Sequence, residues 1–222
     1  MNAQKRKGDS PLLWALWLWR LALALASGWA VWLLLEHRSA EQVFDQLLYF
    51  TTLSTIAVFL FNFSEAVRPF VIRAGGRNRF ESKSPWLRGM ATSMAIFTGV
   101  VFATLLEGAY PDTVDKLAHL VCPIAMAVDW AAVGRSQGRL HVLSPATWSA
   151  LLLPYIFFVY PWDARRDGKP MYEFLDPSKD DWPVTVGAVI AAIGGRIVPT
   201  ADFLADLLDV DGALTDADLL VV

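Results

Sequence analysis

Long apolar runs recur along this chain of 222 residues, and several are long enough to cross a lipid bilayer. A membrane-spanning helix needs about 20 mostly apolar residues. Hydrophobic residues make up 55% of the chain and charged residues 18%, and the mean hydropathy is +0.40. This composition is too apolar for an ordinary soluble domain, so the sequence predicts an all-α integral membrane protein.

The apolar runs predict a bundle of six transmembrane helices in one domain, residues 1–200, followed by an acidic tail, residues 201–222. The predicted spans are Leu12–Leu35, Phe44–Phe63, Leu87–Leu106, Asp115–Val133, Ser144–Tyr160 and Trp182–Pro199. The first run has an alternative interpretation as a signal peptide, because Ala24-Leu25-Ala26 resembles a cleavage site. Since hydrophobicity resumes through Leu35, we expect a retained membrane anchor.

Basic residues concentrate in alternate segments between the predicted spans. They lie at the N-terminus, after the second and fourth spans, and at the end of the sixth: Lys5, Arg6, Lys7, Arg68, Arg73, Arg77, Arg79, Lys83, Arg88, Arg135, Arg139 and Arg196. The positive-inside rule places these segments and both termini in the cytoplasm. Because the basic residues lie in loops, we expect no nucleic acid partner.

The sequence predicts neither a metal nor a cofactor. Cys122 is the only cysteine, which excludes a site built from several cysteines. The glycines before Arg77 lack the Gly-Lys-Ser/Thr ending of a phosphate loop. In the acidic tail, Leu220 stands where a calcium-binding loop would have glutamate.

His119 lies inside the fourth predicted span. At helical spacing it shares one stripe with Asp115, Cys122 and Met126. Ionisable side chains are costly in hydrocarbon, so this stripe is expected to face the bundle and to have partners there. Two interpretations remain open: a functional site, or a buried histidine bonded to a hydroxyl that holds two helices together.

Four hydroxyl residues cluster near the outer end of the second predicted span: Thr51, Thr52, Ser54 and Thr55. At a rise of ~1.5 Å per residue, Thr51, Thr52 and His119 all lie roughly 7 to 12 Å below the outer ends of their spans. A hydroxyl and an imidazole at one level can form a nucleophile and general-base pair.

Two aspartates flank His119 on the fourth predicted span. Asp115, one turn nearer the outer surface, either orients the imidazole ring or acts as a first-turn carboxylate that stabilises the helix N-terminus. Asp129 lies ~15 Å deeper, too far to contact the same ring edge. We expect Asp129 to pair with Arg135 or with another helix.

Three short motifs, in order and at similar spacing, resemble the androgen-induced, FAR-type family of six-span membrane proteins, whose bacterial members are often called Pr-six-Pr family membrane proteins. They are Phe50-Thr51 with Ser54, His119 with Asp129-Trp130, and Tyr172-Glu173-Phe174-Leu175-Asp176. The resemblance covers about Leu47 to Gly195. It implies a threonine hydrolase that cleaves esters of fatty acids with hydroxy fatty acids. His119 matches the family's base, and Thr51 matches the nucleophile, with Thr52 one position away.

The resemblance also leads us to expect that the aromatic residues Tyr172, Phe174 and Tyr49 bind the substrate. The chain differs from bacterial relatives at Thr55, where they have asparagine, and at Glu173, where they have proline. These changes leave the aromatic pair Tyr172 and Phe174 in place.

These residues predict a metal-independent esterase in which Thr51 attacks an acyl carbonyl and His119 transfers the proton. The site lies in the outward half of the bundle, and the partner is a membrane lipid or fatty acyl ester in a cell membrane, such as a bacterial inner membrane. The first alternative is a non-catalytic carrier or small-molecule binding protein that uses the same polar cluster. A structural assembly partner is the second.

Overall fold

The computed structural model describes residues 11–73, 77–81, 84–105, 110–133, 143–150 and 154–159, together with His141, Trp162, Arg165, Arg166, Gly168 and Tyr172. The chain divides into two compact units, Met1–Met171 and Tyr172–Val222, and the elements below belong to the first. The predicted span Trp182–Pro199 and the tail 201–222 lie outside the described residues.

The described residues are mostly α-helical and contain no β-strand. In chain order the helices are α1 (Pro11–Leu35), α2 (Ala40–Leu48), α3 (Phe50–Val71), α4 (Arg77–Phe80), α5 (Pro85–Leu105), α6 (Thr113–Val133) and α7 (Ser144–Ala150), followed by a π-helical turn at Tyr155–Val159. Within this part of the chain, four helices, α1, α3, α5 and α6, are long and apolar enough to cross a membrane. The chain is therefore a helical membrane protein.

The predicted second span, Phe44–Phe63, is wrong in its bounds, because the membrane-length helix is α3, Phe50–Val71. The residues before it form the separate helix α2, which begins with a capping box in which Ser39 and Gln42 satisfy each other's backbone N–H groups. Tyr49 is extended (φ −70°, ψ 132°), and this ends α2 and starts α3 in a new direction. Thr51 consequently lies in the first turn of the span and not two turns inside it.

Two arginines predicted in a loop lie in membrane-length helices. Arg68 lies in the last turn of α3. Arg88 lies inside α5 and is 1% exposed. Their charge had indicated a cytoplasmic loop. In the tertiary structure, the buried carboxylates of Asp129 and Glu81 neutralise the positive charge of Arg88.

The spanning helices pack in sequence, α1 on α3, α3 on α5 and α5 on α6. A cluster of buried apolar side chains joins all four: Leu23, Val58, Phe61, Ala91, Ala95 and Met126. Alanines on α5 let the neighbouring backbones approach closely, as small residues do between membrane helices.

The helix α6 is irregular around His119. Residues Leu117–Val121 form a π-helical turn, in which the N–H of Cys122 donates to the carbonyl of Leu117. Pro123 follows, and it has no N–H to donate to the carbonyl of His119 four residues earlier. The proline therefore accounts for the wider turn, and such π turns often occur at functional sites.

Candidate active site

The structure brings Thr51 and His119 together. Thr51 Oγ1 in the first turn of α3 lies 3.2 Å from His119 Nε2 in the π turn of α6. His119 lies about 9 Å along the helix axis from Thr113, the start of α6. The site thus joins the N-terminal ends of two membrane-spanning helices.

The imidazole of His119 is clamped by an aromatic ring from a third helix. Phe102 of α5 stacks on it with ring centroids 3.8 Å apart and planes 10° apart. Tyr110 packs on Phe102 at a centroid distance of 5.3 Å. The His119 side chain is only 10% exposed, so its plane and the direction of its nitrogens are fixed.

The second ring nitrogen of His119 points towards a carboxylate. Nδ1 is buried, and Asp115 Oδ1 lies 3.6 Å away. With the proton on Nδ1, Nε2 is the acceptor for the Thr51 hydroxyl. This tautomer is the one that a general base needs, and a carboxylate near Nδ1 favours it.

Asp115 is not the N-cap of α6. That position belongs to Asp112, whose carboxylate accepts a hydrogen bond of 2.8 Å from the N–H of Asp115. Asp115 is still a first-turn carboxylate, so both of its predicted roles agree with its position. Its carboxylate is nevertheless available to His119, because Asp112 performs the capping.

The two adjacent threonines have different partners. Thr52 is fully buried, and its Oγ1 accepts a hydrogen bond of 3.0 Å from Gln46 Nε2 of α2. Thr51 alone of the two bonds to the imidazole. The geometry therefore favours Thr51 as the nucleophile and gives Thr52 a different task.

Neighbouring hydroxyls fix the backbone at Thr51. Its carbonyl accepts from Ser54 Oγ at 2.9 Å and from Thr55 Oγ1 at 2.8 Å. Ser54 also bonds to Thr98 of α5 at 2.8 Å. The hydroxyls of Ser54 and Thr55 in this cluster thus hold the backbone at Thr51 and do not themselves bond to His119.

The three predicted substrate-binding aromatics have different outcomes. Tyr49 precedes Phe50 and Thr51 at the start of α3 and is 37% exposed, beside the site. Tyr172 belongs to the second unit, Tyr172–Val222, and Phe174 lies outside the described residues.

Sequence reasoning missed three residues around the site. Phe102 and Gln46 contact it as described above. Tyr155 packs on Phe50 and donates to the carbonyl of Leu48 at 2.7 Å, which holds the end of α2. Phe102 and Tyr155 come from other helical segments of the chain, and Gln46 is six residues before Thr52 but on the separate helix α2, so nothing in the local sequence marks these side chains.

A separate buried charge cluster surrounds Asp129. Its carboxylate accepts from Arg88 Nε of α5 at 2.8 Å and from Trp19 of α1 at 3.0 Å, and it lies 3.2 Å from Arg20 Nη1. Arg88 also bonds to the Asp129 carbonyl and pairs with Glu81 at 3.6 Å. The prediction that Asp129 pairs with another helix is confirmed, while Arg135 lies outside the described residues.

The described residues contain no group of three or more His, Cys, Asp and Glu side chains that could hold a metal ion. Comparison of the chain with protein-family models, with curated proteins and with solved structures finds no match. The resemblance to the FAR-type family therefore stays a prediction from the motifs.

Proposed function

We propose that this protein is an intramembrane threonine hydrolase of the FAR-type family that cleaves carboxylic esters of fatty acids. The observation that carries the proposal is the 3.2 Å contact between Thr51 Oγ1 and His119 Nε2. A threonine hydroxyl is a weak nucleophile at neutral pH and needs an adjacent base. The stacked imidazole, with only 10% of its side chain exposed, supplies that base in a fixed orientation.

The reaction proceeds in two halves. Thr51 Oγ1 attacks the ester carbonyl carbon while His119 Nε2 takes the hydroxyl proton, and the carbonyl becomes a tetrahedral oxyanion. The carbon–oxygen bond to the leaving alcohol then breaks, and the alcohol takes the proton from His119. Water attacks the acyl-Thr51 ester with His119 again as base, which releases the fatty acid and restores the Thr51 hydroxyl.

The setting supports a lipid substrate. Large apolar side chains on the spanning helices are exposed, among them Leu60 on α3 and Leu120 and Ile124 on α6. In the membrane these surfaces contact acyl chains, so a substrate with an acyl chain can reach the site laterally. Esters of hydroxy fatty acids, the substrates that the family resemblance implies, have such chains.

We propose six spans with both termini in the cytoplasm of a bacterial cell. This orientation follows from the basic loops. The N-terminal ends of α3 and α6 then face outward, and the Thr51–His119 pair lies in the outward half of the bundle, close to the depth at which membrane lipids carry their ester groups.

The test is activity-based labelling of the purified full-length protein with a fluorophosphonate, whose phosphorus the nucleophile attacks with loss of fluoride. We expect wild type to be labelled and to hydrolyse a fatty acyl ester. Thr51→Ala is expected to lose both, and His119→Ala to lose roughly 100-fold or more in rate. Ser64→Ala is the matched control and should behave as wild type, because it removes another hydroxyl of α3 whose bond within the described part of the chain is to the carbonyl of Phe61.

Labelling that survives in both Thr51→Ala and His119→Ala would contradict the proposal. The carrier alternative predicts a different pattern: uptake into liposomes that depends on His119, with no ester turnover by wild type.

A further inference from the structure

The surface helix α2 delivers one polar side chain to the site, that of Gln46. Gln46 is partly buried, and its Nε2 donates to Thr52 Oγ1 at 3.0 Å, one residue from the proposed nucleophile. An amide nitrogen carries two N–H groups, so one donor of Gln46 is not used by this bond. The structure gives Gln46 Nε2 no further partner among the described residues.

The position of Gln46 is fixed from both ends of α2. The capping box of Ser39 and Gln42 starts the helix, and Tyr155 holds the carbonyl of Leu48 at its end. The N–H of Tyr49 also bonds to the carbonyl of Gln46. An amide held this firmly is preorganised, which is the property that makes a donor useful in catalysis.

The chemistry at Thr51 requires a donor of this kind. Attack on an ester carbonyl creates an oxyanion, and ester hydrolases stabilise it with hydrogen-bond donors aimed at the place where the charge develops. Side chains lean towards the N-terminus of their helix, so the hydroxyls of Thr51 and Thr52 both point to the end of α3 that α2 approaches. We expect an ester carbonyl attacked by Thr51 Oγ1 to lie at this end of α3, where Gln46 donates to the neighbouring Thr52.

We propose that Gln46 is the side-chain donor to the oxyanion and that Thr52 positions it. The inference rests on the proposed threonine hydrolase function and extends it by one catalytic and one positioning residue. It accounts for the paired threonines: Thr51 reacts, and Thr52 orients the amide. The start of α3 adds to the effect, because Tyr49 provides no side-chain cap and the first-turn N–H groups favour negative charge.

The experiment compares kcat and KM for ester hydrolysis by the full-length protein in nanodiscs. Gln46→Glu keeps the shape and loses the donor, and we expect kcat to fall roughly 100-fold or more with little change in KM. Gln42→Glu is the matched control: it makes the same change one turn earlier and preserves the capping box, because glutamate also serves there. It should keep the wild-type kcat.

The positioning role has its own pair of variants. Thr52→Val keeps the shape and loses the hydroxyl, and it should lower kcat by about tenfold, because a donor that is free to move loses preorganisation. Thr52→Ser restores the hydroxyl and should restore kcat. A purely structural role of Thr52 would instead lower the thermal unfolding midpoint of Thr52→Val without this split between kcat and KM.

The two proposals fail in different ways. If wild type hydrolyses esters, Thr51→Ala does not, and folded Gln46→Glu and Gln46→Leu both keep the wild-type kcat, the oxyanion assignment is overturned and the hydrolase stands. If Thr51→Ala keeps full ester hydrolysis, the hydrolase proposal falls and the assignment of Gln46 falls with it.

Discussion

Asp112 and Asp115 are both aspartates at the N-terminal end of α6, but their side chains have different roles. Asp112 caps the helix, and Asp115 lies 3.6 Å from His119 Nδ1. In the proposed reaction His119 takes the Thr51 proton, and the imidazole then becomes positively charged next to Asp115. The negative charge of Asp115 is expected to stabilise that state.

Replacing Asp115 by asparagine tests this difference. An ion pair near 4 Å is worth roughly 1 kcal/mol or more, so we expect Asp115→Asn to lower kcat about tenfold. Asp112→Asn is the comparison variant, since asparagine caps helices as well as aspartate does; it should leave stability unchanged and lower kcat less than Asp115→Asn, because the Asp112 carboxylate is bonded to the N–H of Asp115. Equal rates for both variants, measured by ester hydrolysis, would leave Asp115 only its role in the helix.

At the scale of helices, the site depends on the close approach of α5 to α6. Gly99 of α5 lies against the π turn: a Cβ there would stand 2.8 Å from Pro123 Cβ and 3.0 Å from the carbonyl oxygen of His119. Neither the proline ring nor the backbone can move aside easily. The glycine therefore sets the separation that lets Phe102, less than one turn further along α5, stack on His119.

Gly99→Ala should push α6 away from α5. Overpacking costs about 1–3 kcal/mol, and the better helix propensity of alanine returns about 1 kcal/mol, so a modest loss of stability is expected together with a clear loss of activity. Gly28→Ala in α1 is the control, because its new Cβ meets the edge of the Phe59 ring at 3.0 Å, which can shift. Thermal unfolding and fluorophosphonate labelling of both variants measure the two effects; labelling of Gly99→Ala at the wild-type rate would contradict this account.

For the whole molecule, the cluster around Asp129 joins helices that are distant in sequence. Asp129 on α6 contacts Arg20 of α1 and Arg88 of α5, and all three side chains are at most 1% exposed. Arg20 Nη1 also reaches Asn62 Oδ1 of α3 at 3.5 Å. Three spanning helices thus contribute charges to one buried cluster and α3 contributes the neutral Asn62, in a setting where an unpaired charge is costly.

Asp129→Asn should be the most destabilising of the variants considered. It leaves two buried guanidinium groups without their shared carboxylate, and breaking a buried pair in this way costs about 3–5 kcal/mol. Asp45→Asn breaks the partly exposed Asp45–Arg166 pair, where the loss should stay within about 1 kcal/mol. Thermal unfolding in detergent compares the two, and equal unfolding midpoints would show that the Asp129 cluster does not hold the bundle together.

The sequence by itself determined the helical membrane class, because apolar runs of this length have few other stable structures. It also singled out His119 and the threonine pair, since polar groups inside such runs need partners. Only the tertiary structure showed that Thr51, and not Thr52, contacts His119, that α2 ends before Tyr49, and that Arg88 pairs with Asp129. These outcomes depend on side chains from other helices, such as His119 for Thr51 and Asp129 for Arg88, and no local pattern in a sequence specifies which distant residue will be the neighbour.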